Sequence, residues 1–289
     1  MRLSVIEIRQ KMVHKLTRLH VLLFILTFIT TLLAGAMLNG VVPWQTPEKI
    51  YLGLPFSLTL LLILLTHELS HYFMSRRHNV SATLPYFIPA PSIIGTFGAV
   101  IKMKPPIPDR RSLIDIGASG PIGGFIIAVI AVIIGLSYSE IKSIEELQGG
   151  ISLGNSILFH FLTRIVLNIE PNKYDILLHP VAFAGWIGLL VTSFNLLPIG
   201  QLDGGHITYA LLGEKHRWVS KGMIPVLVIL GILFWEGWII WAFLLVLIGY
   251  KHPPVVYPAI QLDRRRKLMG WVCLIIFILT FTPIPVRGM

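Results

Sequence analysis

Residues 50–74 read IYLGLPFSLTLLLILLTHELSHYFM, and this stretch decides both the fold class and the chemistry. The run exceeds the ~20 helical residues that cross a hydrocarbon core, so a membrane-spanning helix is expected here. Its only ionisable cluster is His67-Glu68-Leu69-Ser70-His71, near the end of the run. On a helix, positions 67 and 71 share one face a turn apart. Two imidazoles there can hold one metal ion, with Glu68 beside it as a base. Insertion scales charge about 3 kcal/mol for a carboxylate near the centre of a spanning helix, so Glu68 calls for a bound cation or a water-filled cavity.

Working outward, apolar blocks recur at roughly 20–38, 118–138, 180–199, 219–235, 237–250 and 268–284, giving seven candidate crossings with 50–74. Apolar residues make up 54% of the 289 and charged residues 13%, with a mean hydropathy of +0.76, which excludes an ordinary soluble domain. The formal charge of +10 raises the question of nucleic acid. With the N-terminus in the cytoplasm, however, nineteen of the 24 basic residues fall on the inner side and five outside. That asymmetry accounts for the charge as membrane topology, and no nucleic-acid partner is expected. The basic leader at 1–19 followed by Val21–Leu33 and small residues imitates a secretory signal; an uncleaved first helix is the expectation.

No extramembrane stretch is long enough for a second domain, so one intramembrane domain over 1–289 is expected. Between the second and third spans, residues 81–108 carry six prolines around Ile93–Lys102, whose β-branched residues flank Gly95 and Gly98. Those breakers forbid a spanning helix and predict a short hairpin or re-entrant strand. The stretch 151–169 predicts an external interfacial helix. Trp235, Trp238 and Trp241 read as an interfacial aromatic belt, Arg264–Lys267 as a stop to translocation, and the glycines at 117, 120, 123 and 124 as ordinary helix packing. Cys273, the single cysteine, excludes an internal disulfide and reads as a small apolar residue.

The third metal ligand is sought where a spanning helix is broken. In Phe194-Asn195-Leu-Leu-Pro198-Ile-Gly200-Gln-Leu-Asp203-Gly204-Gly205, Pro198 and Gly200 should end the helix within 180–210. Broken backbone at membrane depth persists only against protein or a cavity, which makes Asp203 the candidate ligand. Its other reading is a cap on the helix that follows. His206 is a further candidate ligand or hydrogen-bonding neighbour.

Together, His67-Glu-Leu-Ser-His71, Asn195-Leu-Leu-Pro198 with Leu202-Asp203-Gly204, and Gly120-Pro-Ile-Gly-Gly124 resemble the site-2 protease family of intramembrane zinc metalloproteases. Gly95-Thr-Phe-Gly-Ala, Pro108-Asp-Arg and the tail from Leu262 resemble its archaeal and chloroplast-type branch, without PDZ or CBS modules. The resemblance implies an all-α polytopic fold of about six to seven transmembrane helices with a hairpin near the site, and C-terminal helices over 219–284. It implies Zn2+ on His67, His71 and Asp203, Glu68 as catalytic base, and Asn195 and the strand-like Gly95, Thr96, Phe97 and Gly98 as contacts for extended substrate. Its partners would be transmembrane protein substrates and the lipid bilayer. Its place would be a prokaryotic plasma membrane, and its activity the cleavage of peptide bonds in or near transmembrane helices. Two rival readings are a prenyl-protein or quality-control zincin, with Glu214 or Glu236 as third ligand, and a metal transporter.

Overall fold

The computed structural model describes residues 17–104, 106–143, 151–168 and 174–288; most of the basic leader lies outside them. The chain is mainly helical. Helix α1 spans Arg18–Leu38, and after a 3₁₀ segment at Pro47–Gly53, α2 runs Leu54–Arg77 with Pro55 in its first turn and Arg76 and Arg77 in its last. Proline suits a helix start, and cations suit the carbonyl end of the helix dipole. Strands β1 (Tyr86–Pro89) and β2 (Thr96–Val100) form the hairpin expected from the proline and glycine pattern, with Tyr86 opposite Val100 and Phe87 opposite Ala99.

Helix α3 (Arg110–Ser137) starts where Asp109 accepts the Ser112 amide at 2.8 Å. Beyond it come β3 (Glu140–Ser143), β4 (Ile151–Leu153), α4 (Ile157–Leu167) and β5 (Tyr174–Leu177). Then follow α5 (Pro180–Asn195), α6 (Asp203–Leu212), a 3₁₀ turn at Gly213–Lys215 and α7 (His216–Leu233). The chain closes with α8 (Gly237–Ile248), α9 (Arg264–Thr280) and β6 (Val286–Gly288).

Among the described residues, four stretches are long and apolar enough to cross a membrane: Arg18–Leu38, Pro47–Arg77, Arg110–Ser137 and Asp203–Leu233. Helix α5, expected to cross over 180–199, has 16 residues, about 24 Å at 1.5 Å per residue. It is packed among protein: Ala182, Ala184, Trp186, Ile187 and Leu189 are all buried, so its length need not match the lipid.

The interior is built on α3, which packs most extensively against α2 on one side and α5 on the other, with α6 closing over its N-terminal half. Leu60, Ile63, Leu64, Ala128, Val132, Leu136, Ala184 and Leu189 make the largest apolar cluster. Two further pairings join segments on the far side of α3: β3 with β5, and β4 with β6, both antiparallel. The sequence pattern did not announce either.

One side-chain expectation is corrected, and two further side-chain placements stand beside it. Trp238 is fully buried in the cluster of Leu197, Ile199 and Leu227, and its indole donates to the Pro283 carbonyl at 2.7 Å, so it is core rather than belt. In α4 the buried residues are Phe159 and Leu162, while Ile157, Phe161 and Ile165 face outward. Within the basic run, Arg266 turns inward to Asp115 of α3.

Candidate metal centre

Helix α2 presents His67 and His71 on one face, with Nε2 atoms 3.1 Å apart. Asp203 meets both from α6: Oδ2 lies 3.1 Å from His67 Nε2, and Oδ1 lies 3.2 Å from His71 Nε2. Among the described residues this is the one group of three or more possible ligands drawn this close, all within 4.8 Å of one another. His67, Glu68 and His71 are 4%, 7% and 5% exposed, so bulk water cannot satisfy them.

The local backbone explains how an aspartate so far along the chain arrives here. After α5 ends at Asn195, the chain breaks helix through Pro198 and Gly200, whose φ of +53° lies in the left-handed region that glycine tolerates. The Gly200 amide donates to Ser220 Oγ at 3.2 Å, and that hydroxyl donates to the Pro198 carbonyl at 3.1 Å, so α7 pins the break from behind. Helix α6 then begins with Leu202 as its cap residue and no side-chain cap bond. Asp203, the first helical residue, turns its carboxylate to the histidines.

Helix α3 forms the wall. A Cβ at Gly120 would fall inside the His71 imidazole, one at Gly124 would stand 3.0 Å from His67 Nδ1, and one at Gly117 would stand 2.9 Å from His206 Cβ. The glycines expected to serve ordinary packing are what allow the two rings and α6 to reach this helix. His71 Nδ1 donates to the Ile116 carbonyl at 2.7 Å, which leaves Nε2 unprotonated in the neutral ring and aimed at Asp203. The neighbouring Asp115 carboxylate takes a two-pronged contact from Arg266 of α9, with Nη2 at 2.6 Å and Nε at 2.9 Å, and His78 Nε2 lies 2.9 Å away. Three helices are thereby tied around the turn that orients His71, with Arg266 of the basic run and His78 as the links.

A zinc ion fits this donor set. A lone pair of His71 Nε2 faces a carboxylate oxygen and a second imidazole nitrogen, at distances where acceptors repel unless a proton or a cation lies between them. Two imidazoles and one carboxylate are a ligand combination of catalytic zinc, and a hydrogen bond on the far nitrogen of a ligand histidine is its usual support.

Residues 55–234 match the model of peptidase family M50. The chain belongs to that family. It is 33% identical over 240 residues to the probable zinc metalloprotease EGY1, chloroplastic, of Arabidopsis thaliana, covering 80% of this chain and 43% of that protein. To the Arabidopsis EGY2 protein, also named a probable chloroplastic zinc metalloprotease, it is 28% identical over 237 residues, covering 81% and 42%. The chain thus spans less than half the length of these curated relatives. No solved structure matches it significantly. M50 is a family of peptidases, and the long apolar helices mark the chain as an integral membrane protein.

Other expected site residues of this M50 chain fall as follows. Asn195 Nδ2 lies 3.3 Å from His67 Nε2, at the rim of the ligand group. The hairpin reaches α2: β2 packs on that helix, and just beyond it the backbone of Ile101 lies near the Glu68 carboxylate. Within the hairpin, Gly95 accepts from the Thr30 hydroxyl of α1 at 2.6 Å, and Thr96 Oγ1 donates to the Ile88 carbonyl at 2.8 Å. Both are committed to holding the hairpin in place, whereas Phe97 is 75% exposed and Gly98 sits at φ +98° with open space around it. Glu214 and Glu236 lie outside the ligand group; Glu214 accepts from the Tyr209 hydroxyl at 3.2 Å, and Glu236 precedes α8 at the surface.

A second histidine cluster adjoins the centre. His206 Nδ1 and His252 Nε2 are 2.6 Å apart, and the His252 ring stacks on Tyr209 at 4.4 Å. Burial, then the neighbouring His206 ring, pushes the His252 imidazole down to about 3, so this loop residue is neutral. Its Nδ1 donates to the Pro253 carbonyl at 2.6 Å, so its Nε2 accepts from His206. Through its Nδ1, His206 anchors the 249–263 loop to α6, and it lies outside the close group of His67, His71 and Asp203. Its partner stands 46 residues further on, and no local pattern could have paired them.

Proposed function

We propose that this chain is an intramembrane zinc metalloprotease that hydrolyses peptide bonds within or near transmembrane helices of membrane-protein substrates. The observation that carries the reading is the convergence of His67, His71 and Asp203 beside a buried Glu68, inside a packed core of apolar helices. His67, His71 and Asp203 would hold the ion. Zinc, when bound, supplies Lewis acidity that lowers the pKa of water to about 7 and draws charge from a scissile carbonyl. Glu68 acts as the base, taking a proton from the attacking water and passing it to the leaving amine. Asn195, at the rim, is suited to a substrate amide.

Substrate enters this reading as extended backbone, because helical carbonyls are already hydrogen-bonded and must be freed before attack. Strand β2 has β1 on one edge, and the other offers main-chain partners to a peptide, with Phe97 exposed beside it. One catalytic domain, six to seven crossings, a cytoplasmic N-terminus and a prokaryotic plasma membrane complete the reading; the uneven division of basic residues supports the orientation. Against transport, the described residues hold one compact ligand group rather than a path of several.

The test is the protein in liposomes with a transmembrane test substrate containing a helix-breaking residue. Glu68→Gln should retain one zinc per chain and lose cleavage by about 10²- to 10⁴-fold, the usual contribution of a general base. Cleavage by the variant at the wild-type rate would end the assignment.

A further inference from the structure

The outer face of the turn that presents Asp203 carries a feature the proteolytic reading does not use. At the start of α7, Lys221 Nζ stands 5.5 Å from the Trp218 ring and 5.4 Å from the Tyr250 ring, and the Arg217 guanidinium lies 5.4 Å from Trp218. Trp218 is 64% exposed, and Arg217, Lys221 and the neighbouring Lys215 are exposed. Among the described residues none of these cations has a carboxylate within ion-pair distance. Their charges are held in place by aromatic faces and left unneutralised.

Arg217, Trp218 and Lys221 directly precede the apolar part of α7, the place where a spanning helix would meet the headgroups. Tryptophan, tyrosine and basic side chains at such a boundary sit at headgroup level, and juxtamembrane cations attract anionic lipid. The cluster also brackets the Pro198–Gly200 break. Ser220, next to Lys221, bonds both ends of it, and the Gly249 carbonyl, next to Tyr250, packs against Gly200.

We propose that Arg217, Trp218, Lys221 and Tyr250 form a binding site for the phosphate headgroup of an anionic phospholipid, and that its occupancy steadies the break that carries Asp203. One phosphodiester between the two cations meets opposite charge on both sides and supports the Lys221 contact that joins α7 to Tyr250 in the loop after α8. The binding half is independent of proteolysis; the coupling half rests on Asp203 as a ligand.

The experiment uses the full chain in nanodiscs of phosphatidylcholine, with or without phosphatidylglycerol. Binding is read as the fluorescence quenching by brominated lipid that disappears in Trp218→Phe. Brominated phosphatidylglycerol should quench this component and brominated phosphatidylcholine should not. Arg217→Gln/Lys221→Gln should raise the phosphatidylglycerol needed on the order of tenfold. Arg264→Gln/Lys267→Gln, which removes the same charge from exposed positions on α9, should leave it unchanged. Equal quenching by both lipids, or equal losses in both double variants, would overturn the site in favour of an ordinary interface or a diffuse surface potential. Zinc release to a chelator should slow several-fold when phosphatidylglycerol is added to wild type, and not in the first double variant. An unchanged release rate in wild type would overturn the coupling.

Discussion

The two halves of the metal centre are built by opposite means. His67 and His71 stand on the uninterrupted helix α2, where a spacing of four residues and the regular rise of the backbone suffice to bring them together. Asp203 stands at the first residue of a helix, beyond a broken segment held by Gly200, by Ser220 of another helix and by close backbone contacts at Gly204. One half is set by local geometry and the other by tertiary structure. Disturbances should therefore reach the aspartate from several distant positions, whereas the histidines should respond mainly to changes on their own helix and on the α3 wall that faces them.

The largest effect should come from attacking the helical half directly. His71→Ala removes a ligand and should abolish zinc retention after dialysis, read as metal per chain; full retention would mean that the ion lies elsewhere. Next is Gly120→Ala. Its methyl group would occupy the space of the His71 ring, so either the ring or α3 must move. Overpacking of this kind costs about 1–3 kcal/mol. The variant should fold with a lowered melting temperature and bind zinc far more weakly, while Gly222→Ala, in open space, should match wild type in both. If both variants behaved alike, α3 would not be the wall of the site.

Ser220→Ala tests the other half by removing hydrogen bonds to Gly200 and Pro198. A loss of about 1 kcal/mol in stability is expected, together with a several-fold rise in zinc release rate, since the break loses its rear support. The same loss of stability with an unchanged release rate would show that the break holds Asp203 without help from α7.

What the sequence disclosed follows the same division. That His67, Glu68 and His71 fall together on one buried helix was legible because their spacing and the periodicity of that helix carry the information. The hairpin was legible because Pro85, Pro89, Pro91 and the glycines at 95 and 98 permit little else. Asp203 was legible only as a carboxylate following a helix break, which left a ligand and a cap as alternatives. The β3–β5 and β4–β6 pairings join residues such as Ser152 and Arg287, for which no turn sets the register. Hydropathy likewise could not say which apolar face meets lipid and which meets protein. Trp238 thus reads as an interfacial residue in the sequence and is core in the structure.

The central claim is that one dication is shared by the two α2 imidazoles and the α6 carboxylate. Its most direct test is zinc per chain in detergent-purified Asp203→Ala, measured beside wild type after equal exposure to a competing chelator. Wild type is expected to keep one ion per chain and the variant to lose it, with the helical content of both unchanged. Equal zinc in the two proteins would contradict the claim.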